Sequence, residues 1–276
     1  MTSTSAVSAH YTSGNLLERL RAALAAEGID PDHPTVDQLA PFDHFHGRGS
    51  EATAELANSV AVKASDHVLD VGSGIGGPAR YFAKRFGCRV TGIDLTAEFC
   101  DVARALTRTL GLDGRVAFQQ GSALAMPFAD ASFDGAYSMN VAMNIADKNG
   151  FCREISRVLK PGAWLALSEI GQGPGGAPAY PTPWARTAAT SFLATSAQTR
   201  EALENAGFTI TAFRETTREA LDFNARARAT VQRGEKPPVR SIRLIHGELS
   251  NDMTANGARA LADGRVVPIE IVCRKA

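Results

Sequence analysis

Apolar residues fall along the chain in two rhythms. Short runs bounded by glycine or polar residues read as buried strands: Val68, Leu69 and Val71, then 89–93 closing at Asp94, 116–119, 133–138, 164–168, 208–213 and 266–272. Helical spacing recurs between them. It predicts helices over 79–86 with Gly87 as the stop, from a Thr96 cap to Leu110, from an Asp147 cap to Leu159 with Pro161-Gly162 as the break, and from Ser196 to Gly207. Strands alternating with helices predict an α/β fold, a doubly wound, mostly parallel sheet of seven strands. Ligands of such sheets sit beyond the carboxyl ends of the strands. Pro268 sits awkwardly inside the last predicted strand.

The flanking segments carry helical patterns of their own. Residues 1–12 are small and polar and are expected to be poorly ordered. Ser13 is the expected cap of a helix over 15–27, with Leu16, Leu17, Leu20 and Leu24 on one face and Gly28 at its end. Thr35 or Asp37 opens a short helix through Leu39, and Ser50 caps another over 51–62. Three regions follow: an N-terminal tail and helical lid (1–62), a ligand-binding core (63–170), and the rest of the sheet (171–276). The last region carries a glycine- and proline-rich capping loop over 171–185 and a helical insertion over 216–263, interrupted near 234–238.

Composition narrows the function. The chain has 276 residues, 44% hydrophobic, with a formal net charge of zero, enough for a core and without the broad positive field of a nucleic-acid binder. No apolar run reaches the ~20 residues of a membrane span, and the first residues lack a secretory pattern. Cys88, Cys100, Cys152 and Cys273 show no metal-ligand spacing. They are expected to be buried thiols of a cytoplasmic protein, and no metal site is expected.

The chemistry concentrates after the first strand. The stretch 67–78 runs from a strand through a glycine loop into a helix opened by Pro78, a geometry that turns backbone N–H groups and a helix N-terminus toward a nucleotide-like ligand. Gly72, Gly74 and Gly77 satisfy the dinucleotide pattern, with Asp94 at the expected offset. That leaves a nucleotide-dependent oxidoreductase as a remote alternative. Asp70 argues against it. A carboxylate at the end of the first strand suits a ligand with a cationic ammonium end, as in S-adenosylmethionine, which NAD lacks.

Residues 69–76 resemble motif I of the class I S-adenosylmethionine-dependent methyltransferases, residues 92–95 resemble motif II, and 158–162 with the following strand resemble the segment leading into strand five. The resemblance spans about 60–170. It implies a Rossmann-like methyltransferase fold whose seventh strand lies antiparallel between strands five and six, with S-adenosylmethionine as cofactor. By the family pattern Asp70, Gly72, Ser73 and Gly74 face the methionine part, Asp94 accepts from the ribose hydroxyls, and Leu95 packs on adenine. Ser122, beside Ala123, replaces the acid usual after strand three, which weakens the adenine contact. Asn140 follows strand four near the methionine moiety. The segment 41–49 is similar to that of small-molecule members, the sarcosine and dimethylglycine and the tocopherol methyltransferases. It makes His46 a candidate base of near-neutral pKa and His44 a structural residue. Phe42 and Trp184 are candidate walls for the acceptor, with Trp184 suited to a cationic amine. Arg80 is expected to be solvated, and Asn144 has no assigned role.

The expected activity is methyl transfer to a small-molecule acceptor, preferably an amine or amino acid nitrogen. The alternative is the oxygen, sulfur or carbon of a natural product. Residues 140–143 lack the Asn-Pro-Pro-aromatic motif of amino-DNA methylation, so neither nucleic acid nor membrane is an expected partner; a homodimer is left open.

Overall fold

The computed structural model describes residues 3–276; Met1 and Thr2, and the poor order expected of them, lie outside the described residues. The central sheet has the order β3-β2-β1-β4-β5-β7-β6. Its strands are β1 (His67–Val71), β2 (Arg89–Asp94), β3 (Val116–Gln120), β4 (Phe133–Met139), β5 (Leu159–Gln172), β6 (Phe208–Glu215) and β7 (Val266–Lys275). Strands β1 to β5 pair in parallel, while β7 runs antiparallel between β5 and β6. The strand order reverses beside β1, so the crevice at its carboxyl end is the switch point where α/β sheets take ligands.

Period-two alternation fills both faces. Leu69, Val71, Leu165 and Ile271 join one core with Phe151 and Ile155, whereas Val68, Val90, Tyr137 and Trp164 face the other with Phe82. The covering helices are α5 (Gly77–Phe86), α6 (Ala97–Thr109), α7 (Lys148–Val158) and α8 (Ser196–Asn205); α1 (Ser3–Tyr11), α2 (Leu16–Ala25), α3 (Val36–Asp43) and α4 (Ser50–Asn58) precede the sheet, and α9 (Thr217–Gln232), α10 (Ser241–His246) and α11 (Leu249–Ala262) precede β7. Pro268 fits β7 because its carbonyl, and with it the side lacking an N–H, faces Thr216 just beyond the last β6 pair, Glu215–Ile269.

Several local expectations are corrected by longer-range contacts. The segment from Ser3 is helical, and its Tyr11 packs against the core of α2 and α6. Ser13 does not cap α2. Its amide donates to Glu98 Oε2 at 2.6 Å and Leu16 N to Oε1 at 3.0 Å, so a carboxylate from α6 serves the α2 N-terminus. Helix α3 begins with the Thr35–Gln38 capping box but runs past Leu39 to Asp43 with Pro41 inside it. Ser50 opens α4 rather than capping it, since Gly49 is the cap, and the helix ends at Asn58. Helix α8 begins at Ser196 as expected, capped by Thr195 through its own box with Gln198. Thr96 flanks α6 without a side-chain cap. Pro161-Gly162 lie inside the irregular start of β5, where pairing slips between Phe133 and Gly135, so α7 passes directly into the strand. All four cysteines are free and buried, and no helix of the described residues is long and apolar enough to cross a membrane.

One glycine of the first loop is required by close approach. A Cβ on Gly77 would lie 2.4 Å from the Asp43 carbonyl oxygen and 2.7 Å from Asp43 Oδ1. Gly77→Ala is therefore expected to lower stability by about 1–3 kcal/mol through overpacking, read as a reduced denaturation midpoint. An unchanged midpoint would show that α3 can back away freely.

Candidate active site

Acids lie toward the carboxyl edge on three strands: Asp70 on β1, Asp94 on β2 and, across the intervening β4, Glu169 on β5. Between β1 and α5 the chain turns sharply. Gly72 N and Ser73 N both donate to Ile93 O, at 2.8 and 3.0 Å, so the glycine loop is tied to the end of β2. Gly72 has φ +77, and a Cβ there would meet Val141 Cγ2 at 2.2 Å, so only glycine permits both the turn and the approach of the post-β4 loop.

Asp94 completes the tie. Its Oδ2 accepts from Gly74 N at 2.9 Å and its Oδ1 from Thr96 N at 2.8 Å. Burial raises its pKa, and these two amides oppose the rise. Each oxygen keeps acceptor capacity for a ligand hydroxyl. Asp70 is 2% exposed, and its Oδ2 has no hydrogen-bond partner among the described residues; the buried Ser73 Oγ has none either. Burial pushes the Asp70 carboxyl up to about 7; the Tyr137 hydroxyl opposes this, the Asp94 charge adds to it and Arg80 counters it.

A cavity of about 610 Å³ runs from this edge, within the size range of small-molecule sites. Asp70, Gly72, Ser73, Gly74, Asp94, Leu95, Ser122, Ala123 and Asn140 all line it, as do His46 and Trp184. Ser122 Oγ accepts from Leu124 N at 3.1 Å, which leaves its O–H free to donate. Trp184 is buried, with Nε1 donating to Ser191 Oγ at 2.9 Å. The far walls are mostly apolar and come from distant segments: Val7 and Tyr11 of α1, Phe223 of α9, Ile245 of α10 and Leu261 of α11.

Asn140 carries more structure than expected. It adopts φ +57, a conformation asparagine tolerates. In the amide orientation its neighbours dictate, Nδ2 donates to Ser168 O at 3.1 Å and Oδ1 accepts from Gly47 N at 3.2 Å. It therefore fastens the His46-Gly47 segment to the ends of β4 and β5.

The environment of His46 differs from the expected one. Burial drives its pKa down to about 3, reinforced by the neighbouring His44 charge. Nδ1 faces Gly47 O at 3.2 Å and Nε2 faces Thr53 Oγ1 at 3.1 Å; an Nδ1–H donating to Gly47 and an Nε2 accepting from Thr53 satisfies both. A neutral ring with both nitrogens engaged is a weak proton acceptor. Phe42 does not line the cavity. It is 1% exposed within the core beneath α2 and α3, with the Arg240 guanidinium 4.7 Å from its ring centre; Phe45 faces the cavity instead.

Arg80 is fully buried rather than solvated. Its Nη2 donates to Asp43 Oδ2 and to Ile75 O, both at 2.8 Å, and Nη1 donates to Thr107 Oγ1 at 3.1 Å. Asp43 Oδ1 meets His44 Nδ1 at 2.7 Å, giving His44 a structural partner. Burial alone would raise the Asp43 pKa, but His44 and then Arg80 pull it below the ordinary carboxylate range.

Three polar groups escaped the sequence reading. Glu169 accepts from Val141 N and Ala142 N at 3.0 Å each, and from Ser138 Oγ at 3.2 Å; burial raises it to about 7. An acid near the end of a central strand, like Asp70 and Asp94, was the available signal. Asn144 accepts from the Tyr11 hydroxyl at 3.1 Å and donates to Trp184 O at 2.8 Å, joining α1 to the 171–185 loop. Arg48 donates to Glu55 at 2.9 Å and to the buried Glu270 at 2.8 Å, which ties α4 to β7.

This arrangement is that of a Rossmann-like domain whose carboxyl-edge crevice opens at β1 and β2. Residues 69–167 match the methyltransferase domain family. The chain is 36% identical over 143 residues to a methyltransferase of Streptomyces halstedii, covering 52% of this chain and 49% of that protein. It is 36% identical over 146 residues to an O-methyltransferase of Aspergillus sclerotiorum, covering 49% and 55%. The chain thus spans about half the length of these curated relatives. Among solved structures, geranyl diphosphate C-methyltransferase from Streptomyces coelicolor A3(2), in complex with Mg2+, geranyl diphosphate and S-adenosyl-L-homocysteine, superimposes with a TM-score of 0.66 at 19% identity, covering 82% of this chain and 80% of that one. At that identity the likeness concerns the fold.

Breaking the buried ion pair tests the frame of the site. Arg80→Met strands Asp43 without its guanidinium and is expected to lower stability by about 3–5 kcal/mol, measured by denaturant unfolding. Adding Asp43→Leu to that variant should recover much of the loss. A mild Arg80→Met with no recovery in the double variant would show that the pair does not hold α3 to α5.

Proposed function

We propose that the protein transfers a methyl group from S-adenosylmethionine to a largely apolar small molecule, at oxygen or carbon. The observation that carries this reading is the continuity of one cavity. Unsatisfied Asp70 and Ser73 and a half-used Asp94 stand at one end, and walls from α1, α9, α10 and α11 stand at the other. The residues fit the cofactor. Asp70 offers an unpaired carboxylate oxygen for an ammonium group, Asp94 offers spare acceptor sites for ribose hydroxyls, Ser122 offers a free O–H for adenine, and Leu95 offers an apolar face.

S-adenosylmethionine, when bound, supplies a methyl group already activated on a sulfonium. The chain's own residues then align the acceptor and exclude water. The described residues up to 62 act as the lid in this reading, with the helices before β7 as its opposing wall. His46 serves as a positioning residue, because burial and its two hydrogen bonds leave it poorly suited to take a proton. An amine or amino acid acceptor, the preference drawn from sequence, is the second reading: the relatives and structural neighbours include methyltransferases of oxygen, carbon and nitrogen alike, and the apolar walls are the reason for preferring oxygen or carbon.

Calorimetric titration tests the reading. S-adenosylhomocysteine should bind and NADH should not. Asp94→Ala should weaken S-adenosylhomocysteine binding by about 2–3 kcal/mol or more, the scale of hydrogen bonds to a charged group, without unfolding the protein. Unchanged affinity, or binding of NADH alone, would overturn it.

Asp70 adds a pH dependence. Its carboxyl titrates near 7, and a ligand ammonium favours the ionised form. Below that value binding must first remove a proton, so affinity should fall by up to about tenfold per pH unit on acidification, with proton release detectable by comparing buffers. Asp70→Asn should bind more weakly and lose this dependence. A flat profile in the wild-type protein would remove Asp70 from ligand binding.

A further inference from the structure

The turn after β4 is held by two charged side chains, one on its amides and one on its carbonyls. It is a single helical turn over Ala142–Asn144, flanked by Val141 and Ile145. Glu169 Oε2 accepts from Val141 N and Ala142 N at 3.0 Å each, and its Oε1 accepts from Ser138 Oγ at 3.2 Å. Lys148, the first residue of α7, reaches back to the opposite ends of the same peptides. Its Nζ donates to Ala142 O at 2.6 Å, to Phe192 O at 2.5 Å and to Ile145 O. Ala142 is thus held through its N–H by a carboxylate and through its C=O by an ammonium.

This grip reaches the cavity through the turn. Val141, Met143, Asn144 and Ile145 line it, whereas Lys148 does not. Val141 packs on the glycine loop, since a Cβ on Gly72 would lie 2.2 Å from its Cγ2. On the other flank Phe192 N donates to Met143 O at 2.7 Å, and Asn144 Nδ2 to Thr190 O at 3.0 Å. An ammonium has three N–H donors, and Lys148 has three carbonyls to serve. A neutral amine has two, so a deprotonated Lys148 must release one of them. Burial lowers the Lys148 pKa to about 8, while the charges of Glu169 and then Cys152 would raise it. Glu169 of β5 and Cys152 of α7 are the titratable groups facing it among the described residues; residues 141–145 and Phe192 contribute none. Burial also pushes the Cys152 thiol up to about 12, so it stays neutral.

We infer that Lys148 and Glu169 are positioning residues for the cofactor, acting through the 141–145 turn, which they press against the glycine loop at Gly72. The inference rests on the methyltransferase reading and adds to it two residues that set the shape of the cofactor crevice from behind. Glu169 needs only its geometry for this task. A glutamine there keeps one oxygen for both amides and turns its NH2 to Ser138 Oγ. Lys148 needs its charge, because only the ammonium can serve all three carbonyls.

Calorimetric titration with S-adenosylhomocysteine, paired with urea unfolding of the ligand-free protein, separates positioning from plain stability. At pH 7, Glu169→Leu and Lys148→Met should each weaken binding by about tenfold or more, the scale of hydrogen bonds to charged groups. Glu169→Gln should stay within about threefold of wild type. The ligand's own titration is common to wild type and Lys148→Met, so the ratio of their affinities isolates Lys148. That ratio should be largest below pH 8 and shrink by up to about tenfold per pH unit above it, as the wild-type lysine loses its proton. Wild-type affinity in Glu169→Leu and Lys148→Met with only the unfolding midpoint lowered, a ratio independent of pH, or a Glu169→Gln as weak as Glu169→Leu would overturn the inference. Should Glu169→Leu not fold, the Lys148→Met ratio decides alone. Failure of the wild-type protein to bind S-adenosylhomocysteine would instead sink the methyltransferase reading, and this inference with it.

Discussion

The salt bridge between Asp43 and Arg80 joins the two parts of the molecule that must agree. Asp43 closes α3, which precedes the sheet; Arg80 lies in the first turns of α5, the helix that follows the glycine loop. The same guanidinium nitrogen also holds Ile75 O, so one buried cation fixes the loop carbonyl and the N-terminal segment together. Burying such a pair is not in itself a source of stability, since desolvation offsets much of the attraction. It confers registry. Gly77 has no room for a side chain because Asp43 sits against it, and the His44–Gly49 segment that follows is thereby delivered to the cavity mouth, where Asn140 fastens Gly47.

The acids along the carboxyl edge divide their labour by how fully the protein itself satisfies them. Glu169 is almost wholly committed to the post-β4 loop, accepting two amides and a hydroxyl. Asp94 is half committed, holding the glycine loop with one amide on each oxygen. Asp70 keeps an oxygen with no partner. Satisfied buried carboxylates shape a loop, while an unsatisfied one carries a desolvation penalty that protonation or a ligand relieves. In the proposed reading the gradient from Glu169 to Asp70 marks the direction in which the site opens to a cationic ligand.

The sheet and its glycine loop were legible in the sequence because their signals are local: apolar runs, positive-φ glycines, and acids at strand ends. All seven strands lie where the apolar pattern put them, and β7 runs antiparallel between β5 and β6 as the family resemblance implied. What was not legible depends on partners far along the chain. Arg80 read as solvated because Asp43 is 37 residues away. Ser13 read as a cap because nothing local reveals Glu98, 85 residues on. Phe42 and Phe45 look alike in sequence, yet one turns into the core and the other into the cavity, since α3 runs through Asp43 instead of stopping at Leu39. His46 kept its place but not its expected basicity, because burial is a property of the fold.

The cavity walls are joined to one another by contacts distant in sequence. The wall formed by α9 to α11 is continuous with β6 and β7, and α10 packs into the core of α2 and α6. Helix α1 meets the same core through Tyr11, whose hydroxyl donates to Asn144, while its His10 faces Pro183 O. Asn144 lies in the post-β4 loop and Pro183 beside Trp184, and both line the cavity. The residues that fasten α1 are therefore also residues a ligand in the cavity would meet, so in the proposed reading the acceptor and the N-terminal segment are held by the same two segments of chain.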